Sequence, residues 1–177
     1  MKKKLILKYR ITILILILII AFLSLWILIP KTFVFEIFSL PALSTLGYTQ
    51  ASVSTEILEN YGKIKLSSKC YELSMIVDKA QAISIENGLN RKLSFRPYTH
   101  DLINDMLRNF GIEVLMVKIN NLKNNTYFAN LLLKQGGKVL SLDSRPSDAI
   151  AIAARTEYLV PILVNETLLK EVGEKIC

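Results

Sequence analysis

The chain has 177 residues, enough for one folded domain of ordinary size plus an appendage. Hydrophobic residues make up 51% of it and the net charge is +7. Five basic residues precede residue 11, which leaves 17 basic against 15 acidic residues, a balance of only +2, in the rest of the chain. This near-neutral balance argues against a broad nucleic-acid-binding surface. One histidine and two widely separated cysteines argue against a zinc site.

Residues 1–10 form a basic tail, and residues 11–29 (ITILILILIIAFLSLWILI) carry no charge. As a helix the apolar run is about 28 Å long, close to the ~30 Å hydrocarbon thickness of a bilayer. It predicts a transmembrane helix, with a buried core helix and a cleaved secretory signal as the alternatives. Because Lys and Arg beside a span tend to stay on the cytoplasmic side, we expect a single-pass membrane protein with a cytoplasmic amino terminus and an outward domain.

The two cysteines bear on the same question of compartment. If the domain faces an oxidising compartment, Cys70 and Cys177 can form a disulfide that ties the carboxyl terminus to a strand. Otherwise they are free thiols, and the sequence leaves both alternatives open.

Residues 30–47 are punctuated by Pro, Ser and Gly and are interpreted as a linker, and residues 48–177 as one folded domain. Patterns of apolar and polar residues near the start of the domain favour strands. The three predicted strands are Thr49–Ile57, Lys63–Ser67 and Tyr71–Val77.

Two helices are predicted in the middle of the domain. The first runs from its N-cap Asp78 to Glu86, with Gly88 as its stop. The second begins at Thr99 and ends near residue 110. Its predicted buried face consists of apolar residues at helical spacing: Leu102, Ile103, Met106, Leu107 and Phe110.

The carboxyl-terminal half predicts an antiparallel meander with a polar surface turn over residues 120–126 and a hairpin at Gly136-Gly137. The meander strands are Ile112–Ile119, Tyr127–Leu133 and Lys138–Asp143. They are followed by a helix at Pro146–Thr156, a strand at Val160–Val164 and a helix at Glu166–Val172. This order of elements predicts an α+β fold with a mixed, largely antiparallel sheet and three to four helices.

Two segments share a local design in which an Arg-Pro pair, a hydroxyl residue and an Asp open a predicted helix. They are Arg96-Pro97-Tyr98-Thr99-His100-Asp101 and Arg145-Pro146-Ser147-Asp148. Free N–H groups at a helix start and the fork of an arginine both suit phosphate oxygens, so the candidate phosphate ligands are Arg96, Arg145 and Ser147. Ordinary helix capping, in which the Asp satisfies those N–H groups, is the alternative.

Carboxylates near the same segments suit a hard divalent cation, and Asp101, Asp143 and Asp148 are the candidate ligands for Mg²⁺ or Mn²⁺. His100 is the candidate general base for activating water, although a merely solvated histidine is equally consistent with the sequence. Neither a zinc motif nor a fingerprint for a nucleotide cofactor is present.

The runs RPYTHDLINDML, VLMVKINNLKNNTYFANLLL and LDSRPSDAIAIAARTEYLVPILVNETLL, in this order, resemble the bifunctional nuclease domain family. The resemblance extends from Lys65 to Val172, and DSRPSDAIA is its most specific part. Family members act on both DNA and RNA, so the resemblance implies phosphodiester hydrolysis with nucleic acid as the partner. The matching positions are Arg96, Pro97, Thr99, His100 and Asp101 in the first segment and Asp143, Arg145, Pro146, Ser147 and Asp148 in the second.

The chain departs from the family pattern at Leu73–Ala80, where relatives tend to have L-P-I-W-I-G followed by Glu-Ala, so a carboxylate that could assist a metal site is absent or replaced. The hypothesis is a membrane-anchored nuclease in which the catalytic residues are His100, Asp101, Asp143 and Asp148. It requires the two helix starts to face one water-accessible cleft. The competing hypothesis is a non-catalytic binding or regulatory module at the membrane. The oligomeric state is left open, with a homo-oligomer as one alternative.

Overall fold

The computed structural model describes residues 10, 13–24, 43–92 and 94–177, and the chain divides into two compact units, residues 1–38 and 39–177. In the first unit residues 13–24 are helical. Within the described ranges, no helix is both long enough and apolar enough to cross a membrane. The other residues of the predicted span, 11–12 and 25–29, lie outside the described residues, as does most of the predicted linker. The transmembrane helix therefore stays a prediction.

The second unit forms strands and helices from residue 48 to its end. Its described strands are β1 (Tyr48–Gln50), β2 (Ser52–Ile57), β3 (Tyr61–Ser68), β4 (Tyr71–Asp78), β5 (Glu113–Lys123), β6 (Thr126–Gln135), β7 (Lys138–Ser144), β8 (Ile162–Asn165) and β9 (Glu174–Lys175). Its described helices are α1 (Lys79–Leu89), α2 (Thr99–Asn109), α3 (Pro146–Ala153) and α4 (Glu166–Val172). The predicted α+β class is confirmed.

The strands form two sheets, whereas the sequence predicted one. The first sheet has the order β1-β8-β5-β6-β7, in which only β5 and β8 run parallel, and the second is antiparallel with the order β2-β3-β4-β9. The predicted strand Thr49–Ile57 divides at Ala51, whose N–H donates to the Ile162 carbonyl at 2.9 Å. This hydrogen bond is the last contact of the segment with β8, and from Ser52 onward the chain belongs to the second sheet as β2.

Helix α1 packs on the second sheet and also contacts α3, which packs on β5 and β6 of the first. A Cβ on Gly62 of β3 would overlap the Cβ of Ala82, so only glycine lets α1 come this close to its sheet. Ala82 and Ile85 of α1 are fully buried. Helices α1, α2 and α3 are thereby held next to one another, since α2 packs on α3.

The predicted role of Gly88 as a helix stop was wrong. Helix α1 continues to Leu89, and Gly88 lies buried inside it. A Cβ at this position would lie 3.0 Å from both the Ala154 Cβ and the Arg155 Nη1. Gly88 therefore makes room for Ala154 and Arg155, the residues that follow α3.

Helix α2 begins at Thr99 as predicted, but most of its predicted buried face is exposed. Ile103 and Leu107 pack against the core, whereas the side chains of three others are at least half exposed: Leu102 (55%), Met106 (52%) and Phe110 (66%). The physical reason is that α2 contacts the domain mainly through α3, so only a narrow strip of the helix is covered. Helical spacing identified the apolar stripe but overestimated how much of it the domain covers.

The predicted meander of β5, β6 and β7 is confirmed, with one change in its first turn. Both strands extend further than predicted, and the turn shrinks to Asn124-Asn125, with φ values of 50° and 59°. Asparagine tolerates this left-handed region, which two-residue hairpins need. The Gly136-Gly137 hairpin forms as predicted, with φ 56° at Gly136.

The carboxyl terminus is fixed to the second sheet. Short strand β9 pairs with the start of β4, and a disulfide joins Cys70 to Cys177 with 5.1 Å between their Cα atoms. Of the two alternatives that the sequence left open, the structure contains the paired one.

Candidate active site

The two Arg-Pro-led helix starts meet in the folded domain. His100, in the first turn of α2, places its Nε2 3.4 Å from Oδ1 of Asp148, in the first turn of α3. The side chains are 15% and 29% exposed, respectively. The contact joins residues 48 positions apart in sequence and brings both predicted segments to one place.

These residues line a cleft of about 660 Å³ between α1, α2 and α3. Its polar lining includes Ser84, Tyr98, His100, Arg145 and Asp148. Isoleucines from all three helices complete the wall: Ile83, Ile103 and Ile152. A concave site with an apolar wall and a few converging polar groups is the usual form of a ligand-binding or active site.

Arg145 supplies positive charge to the lining of the cleft. Its Nε donates a hydrogen bond of 2.7 Å to Oδ2 of Asp148, three residues later, and its side chain is 69% exposed. The Asp148 carboxylate is therefore shared between Arg145 and His100. The outer part of the guanidinium stays accessible to an incoming anion.

The other nitrogen of His100 contacts a residue that the sequence did not single out. His100 Nδ1 lies 2.9 Å from the Ser84 Oγ on α1, and the same oxygen accepts a 3.1 Å hydrogen bond from Arg155 Nη2. Ser84 belongs to no motif that would have identified it. Arg155 gave a weak signal, because an arginine at the end of the apolar run AIAIAAR must bury its stem and find an acid.

Arg155 connects the site to Asp101. The Arg155 side chain is only 6% exposed; its Nε donates to Oδ1 of Asp101 and its Nη1 donates to the Ala151 carbonyl at 2.8 Å. Asp101 Oδ2 accepts the Tyr98 N–H at 2.9 Å. Both carboxylate oxygens are thus engaged. Asp101 acts here as a helix cap and as the partner of a buried arginine, and it does not line the cleft.

The pKa of Asp101 reflects these contacts. Partial burial raises the pKa, but the hydrogen bonds from Arg155 and the Tyr98 N–H and the charges of Arg155 and His100 outweigh burial and hold it below the ordinary value of 3.8. Asp101 therefore stays ionised under neutral conditions and serves as a fixed negative charge.

Three other predicted site residues lie apart from this network. Asp143 is exposed on β7, opposite Asn130, and Ser147 is 4% exposed within α3, so neither faces the cleft. The prediction that Ser147 contacts phosphate gains no support from this burial and stays a prediction. Arg96 is exposed in the loop before α2, and no described acid pairs with it.

The predicted metal ligands do not gather. Within the described residues, no group of three or more His, Cys, Asp or Glu side chains could hold a metal ion. Asp148 faces two basic side chains, Asp101 is bound by Arg155, and Asp143 lies elsewhere. This donor set does not fit a three-carboxylate site, and dependence on Mg²⁺ or Mn²⁺ stays a prediction.

Comparison with known proteins places the chain in a family. The family model of the Bifunctional nuclease domain matches residues 65–176, a range that includes the whole network from Ser84 to Arg155. An uncharacterized protein of Mycobacterium tuberculosis strain H37Rv is 41% identical over 78 residues, 44% of each chain. Bifunctional nuclease 2 of Arabidopsis thaliana is 33% identical over 107 residues, 59% of this chain and 32% of the relative.

Bifunctional nuclease 2 of Oryza sativa subsp. japonica is 38% identical over 99 residues, 54% of this chain and 30% of the relative. The matched region thus spans less than half of each of these three relatives. The family model, in contrast, covers well over half of the present chain. On that match, the chain belongs to the bifunctional nuclease domain family.

Proposed function

We propose that the domain hydrolyses phosphodiester bonds of DNA, RNA or both in the cleft between α1, α2 and α3. The observation that carries the proposal is the contact between His100 and Asp148, which joins both Arg-Pro-led helix starts in one surface cleft. A histidine beside a carboxylate can take and return protons near neutral pH. The names of the plant relatives support nucleic acid as the substrate class.

The residues around this contact divide the work of hydrolysis. His100 transfers protons, and Asp148 orients its ring and stabilises the imidazolium that forms. Arg145 holds the phosphate and stabilises its developing charge, because its guanidinium is largely exposed beside the cleft. Arg96 adds a second positive charge from the loop before α2, where it can meet the nucleic-acid backbone.

The test compares matched aspartate variants of the full chain on single-stranded DNA and RNA. Asp148→Asn removes the charge that faces His100, while Asp105→Asn alters an aspartate of α2 that pairs only with exposed Arg108. We expect wild type and Asp105→Asn to cleave equally and Asp148→Asn to be about 100-fold slower. Equal rates for all three proteins would refute the proposal.

The same assay tests the metal prediction. Each protein is measured with Mg²⁺, with Mn²⁺ and after treatment with EDTA. Loss of cleavage in EDTA that either ion restores would support a divalent cofactor, held by donors other than three gathered carboxylates. Full cleavage in EDTA would refute metal dependence and leave the proton-transfer proposal standing.

The second candidate function is a binding or regulatory module without catalysis. Its support is that each arginine in the network is already paired with an aspartate: Arg145 with Asp148, and Arg155 with Asp101. Such pairs also occur where residues only hold a fold together. Binding of a labelled oligonucleotide that remains intact under every metal condition would favour this candidate.

We also propose that the apolar run anchors the chain in a membrane with the domain on the outer side. Support comes from the uncharged sequence of residues 11–29, the basic tail before it and the disulfide between Cys70 and Cys177. Disulfides persist mainly in oxidising compartments outside the cytosol. The test is a topology reporter fused to the carboxyl terminus, and activity of a strictly cytoplasmic reporter would refute the orientation.

A further inference from the structure

His100 is engaged at both nitrogens. Asp148 faces Nε2 and the Ser84 hydroxyl faces Nδ1 at 2.9 Å. A histidine that activates water needs one nitrogen directed at that water. The nearest oxygen from which His100 can remove a proton is therefore the Ser84 Oγ.

The ion-pair contact with Asp148 and the hydrogen bonds at Ser84 favour one arrangement of protons. A carboxylate accepts hydrogen bonds and cannot donate, so Asp148 favours the neutral tautomer with its proton on Nε2. Nδ1 is then an acceptor, and the Ser84 hydroxyl donates to it. Arg155 Nη2 can only donate, and its hydrogen bond ends on the lone pairs of the same Oγ.

We propose that Ser84 is the catalytic nucleophile of this cleft, an inference that rests on the proposed hydrolysis of phosphodiesters. Ser84, His100 and Asp148 have the relations of a nucleophile, a base and an orienting acid, a set recognised by geometry and not by sequence order. Arg155 favours the alkoxide by donating to the oxygen that develops negative charge. Ser84 lines the cleft together with Arg145, which would hold the attacked phosphate.

The proposed reaction consumes only the phosphodiester and one water molecule. His100 Nδ1 takes the hydroxyl proton as the Ser84 Oγ bonds to phosphorus, and the leaving oxygen departs from phosphorus with the proton that His100 returns. Water then attacks the phosphorus and gives a proton to His100. The bond between Oγ and phosphorus breaks, and Ser84 recovers its proton.

Position singles out Ser84 among the described serines. The chain has one histidine, and Ser84 is the described serine whose hydroxyl contacts it. A serine within a helix usually points its hydroxyl to solvent or back to a carbonyl of the preceding turn. Here the hydroxyl instead reaches across to another helix and lies between a base and a guanidinium.

The experiment tests the reactivity of Ser84 and the nuclease activity independently. The full chain is treated with a fluorophosphonate probe, which phosphonylates activated serines, and the modified peptide is identified by mass spectrometry. Nuclease rates are measured on the same preparations. The variants are Ser84→Ala, His100→Gln and the matched control Ser74→Ala, an exposed serine of β4 outside the cleft. Thermal unfolding verifies that each variant is folded.

We expect the probe on Ser84 in wild type and in Ser74→Ala, no labelling of Ser84→Ala, and at least tenfold slower labelling of His100→Gln. Cleavage by Ser84→Ala should fall about 100-fold. Labelling at Ser84 without any nuclease activity would support the activated serine and refute the proposed function. Nuclease activity that survives Ser84→Ala but is lost in His100→Gln would overturn Ser84 as nucleophile. If wild type showed no labelling and no cleavage, both the nucleophile and the proposed function would be overturned.

Discussion

The starts of α2 and α3 share their residue types but differ in how they use them. At the start of α3 the ion pair is local, because Arg145 pairs with Asp148 three residues later within the same motif. At the start of α2 the arginine and the aspartate of the motif do not pair with each other. Arg96 is exposed, and Asp101 pairs with Arg155, which follows α3. A similar local sequence therefore gives one exposed ion pair and one buried one.

The difference shows how the two segments depend on each other. Asp148 at the start of α3 contacts His100 at the start of α2. Asp101 at the start of α2 pairs with Arg155, which follows α3. The two arginines differ in burial, and this difference assigns them different roles. Arg155 is 6% exposed and fixes the helices, while Arg145 is 69% exposed and can meet a ligand. Arg155 and Asp101 therefore form a holding pair, and Arg145 and Asp148 form a working pair.

The largest expected effect is on catalysis at the contact between the two starts. His100→Gln keeps a polar side chain of similar length but removes the group that transfers protons. We expect the cleavage rate to fall about 10³-fold, within the range for loss of a general acid-base residue. Initial rates at saturating substrate measure this. An unchanged rate in a folded variant would contradict the role of the contact.

The next effect is on stability and compares the two arginines. Arg155→Met should lower the free energy of unfolding by about 3 kcal/mol, because it leaves Asp101 and Ser84 without their buried donor. Arg145→Met should cost less than about 1 kcal/mol, since exposed ion pairs contribute little. Denaturant unfolding of both variants measures the difference. Equal losses would mean that burial does not separate the two pairs.

The sequence predicted the local parts of this site better than its connections. Both helix starts, the meander and the terminal helix follow from caps, turns and alternation, which act over a few residues. Ser84 and Arg155 were missed because their importance comes from packing between α1, α2 and the end of α3. Gly88 was misread for the same reason, since its small size matters against Ala154 and Arg155, which only the fold brings near.

The predicted metal ligands were chosen by residue type and sequence position alone. Asp101 and Asp148 carry suitable carboxylates, but each is matched by basic side chains that only the fold brings near. Asp143 is exposed on β7 and does not line the cleft. Sequence order therefore identified the neighbourhood of the site but not which carboxylates converge in it.

A smaller effect concerns acid stability through the holding pair. The pKa of Asp101 is lowered in the folded domain, so its contribution to stability is complete above the ordinary value of 3.8 and is lost as the pH falls through the folded pKa. Asp101→Asn should therefore be less stable than wild type at neutral pH and should lose less stability on acidification below about pH 4. Unfolding free energies measured from pH 6 to pH 2 test this. Parallel curves for the two proteins would contradict the assignment.

The smallest effect compares Arg96 with Arg145 in substrate binding. Arg96 has no described acidic partner, so Arg96→Ala should remove one phosphate contact, raise KM about threefold at low salt and leave kcat unchanged. The dependence of log KM on log salt should become shallower by about one unit. Arg145→Ala should change kcat as well, because it also removes a partner of the Asp148 carboxylate that faces His100. If both variants altered KM alone, Arg145 would be a binding residue like Arg96, and the pair of Arg145 with Asp148 would have no part in catalysis.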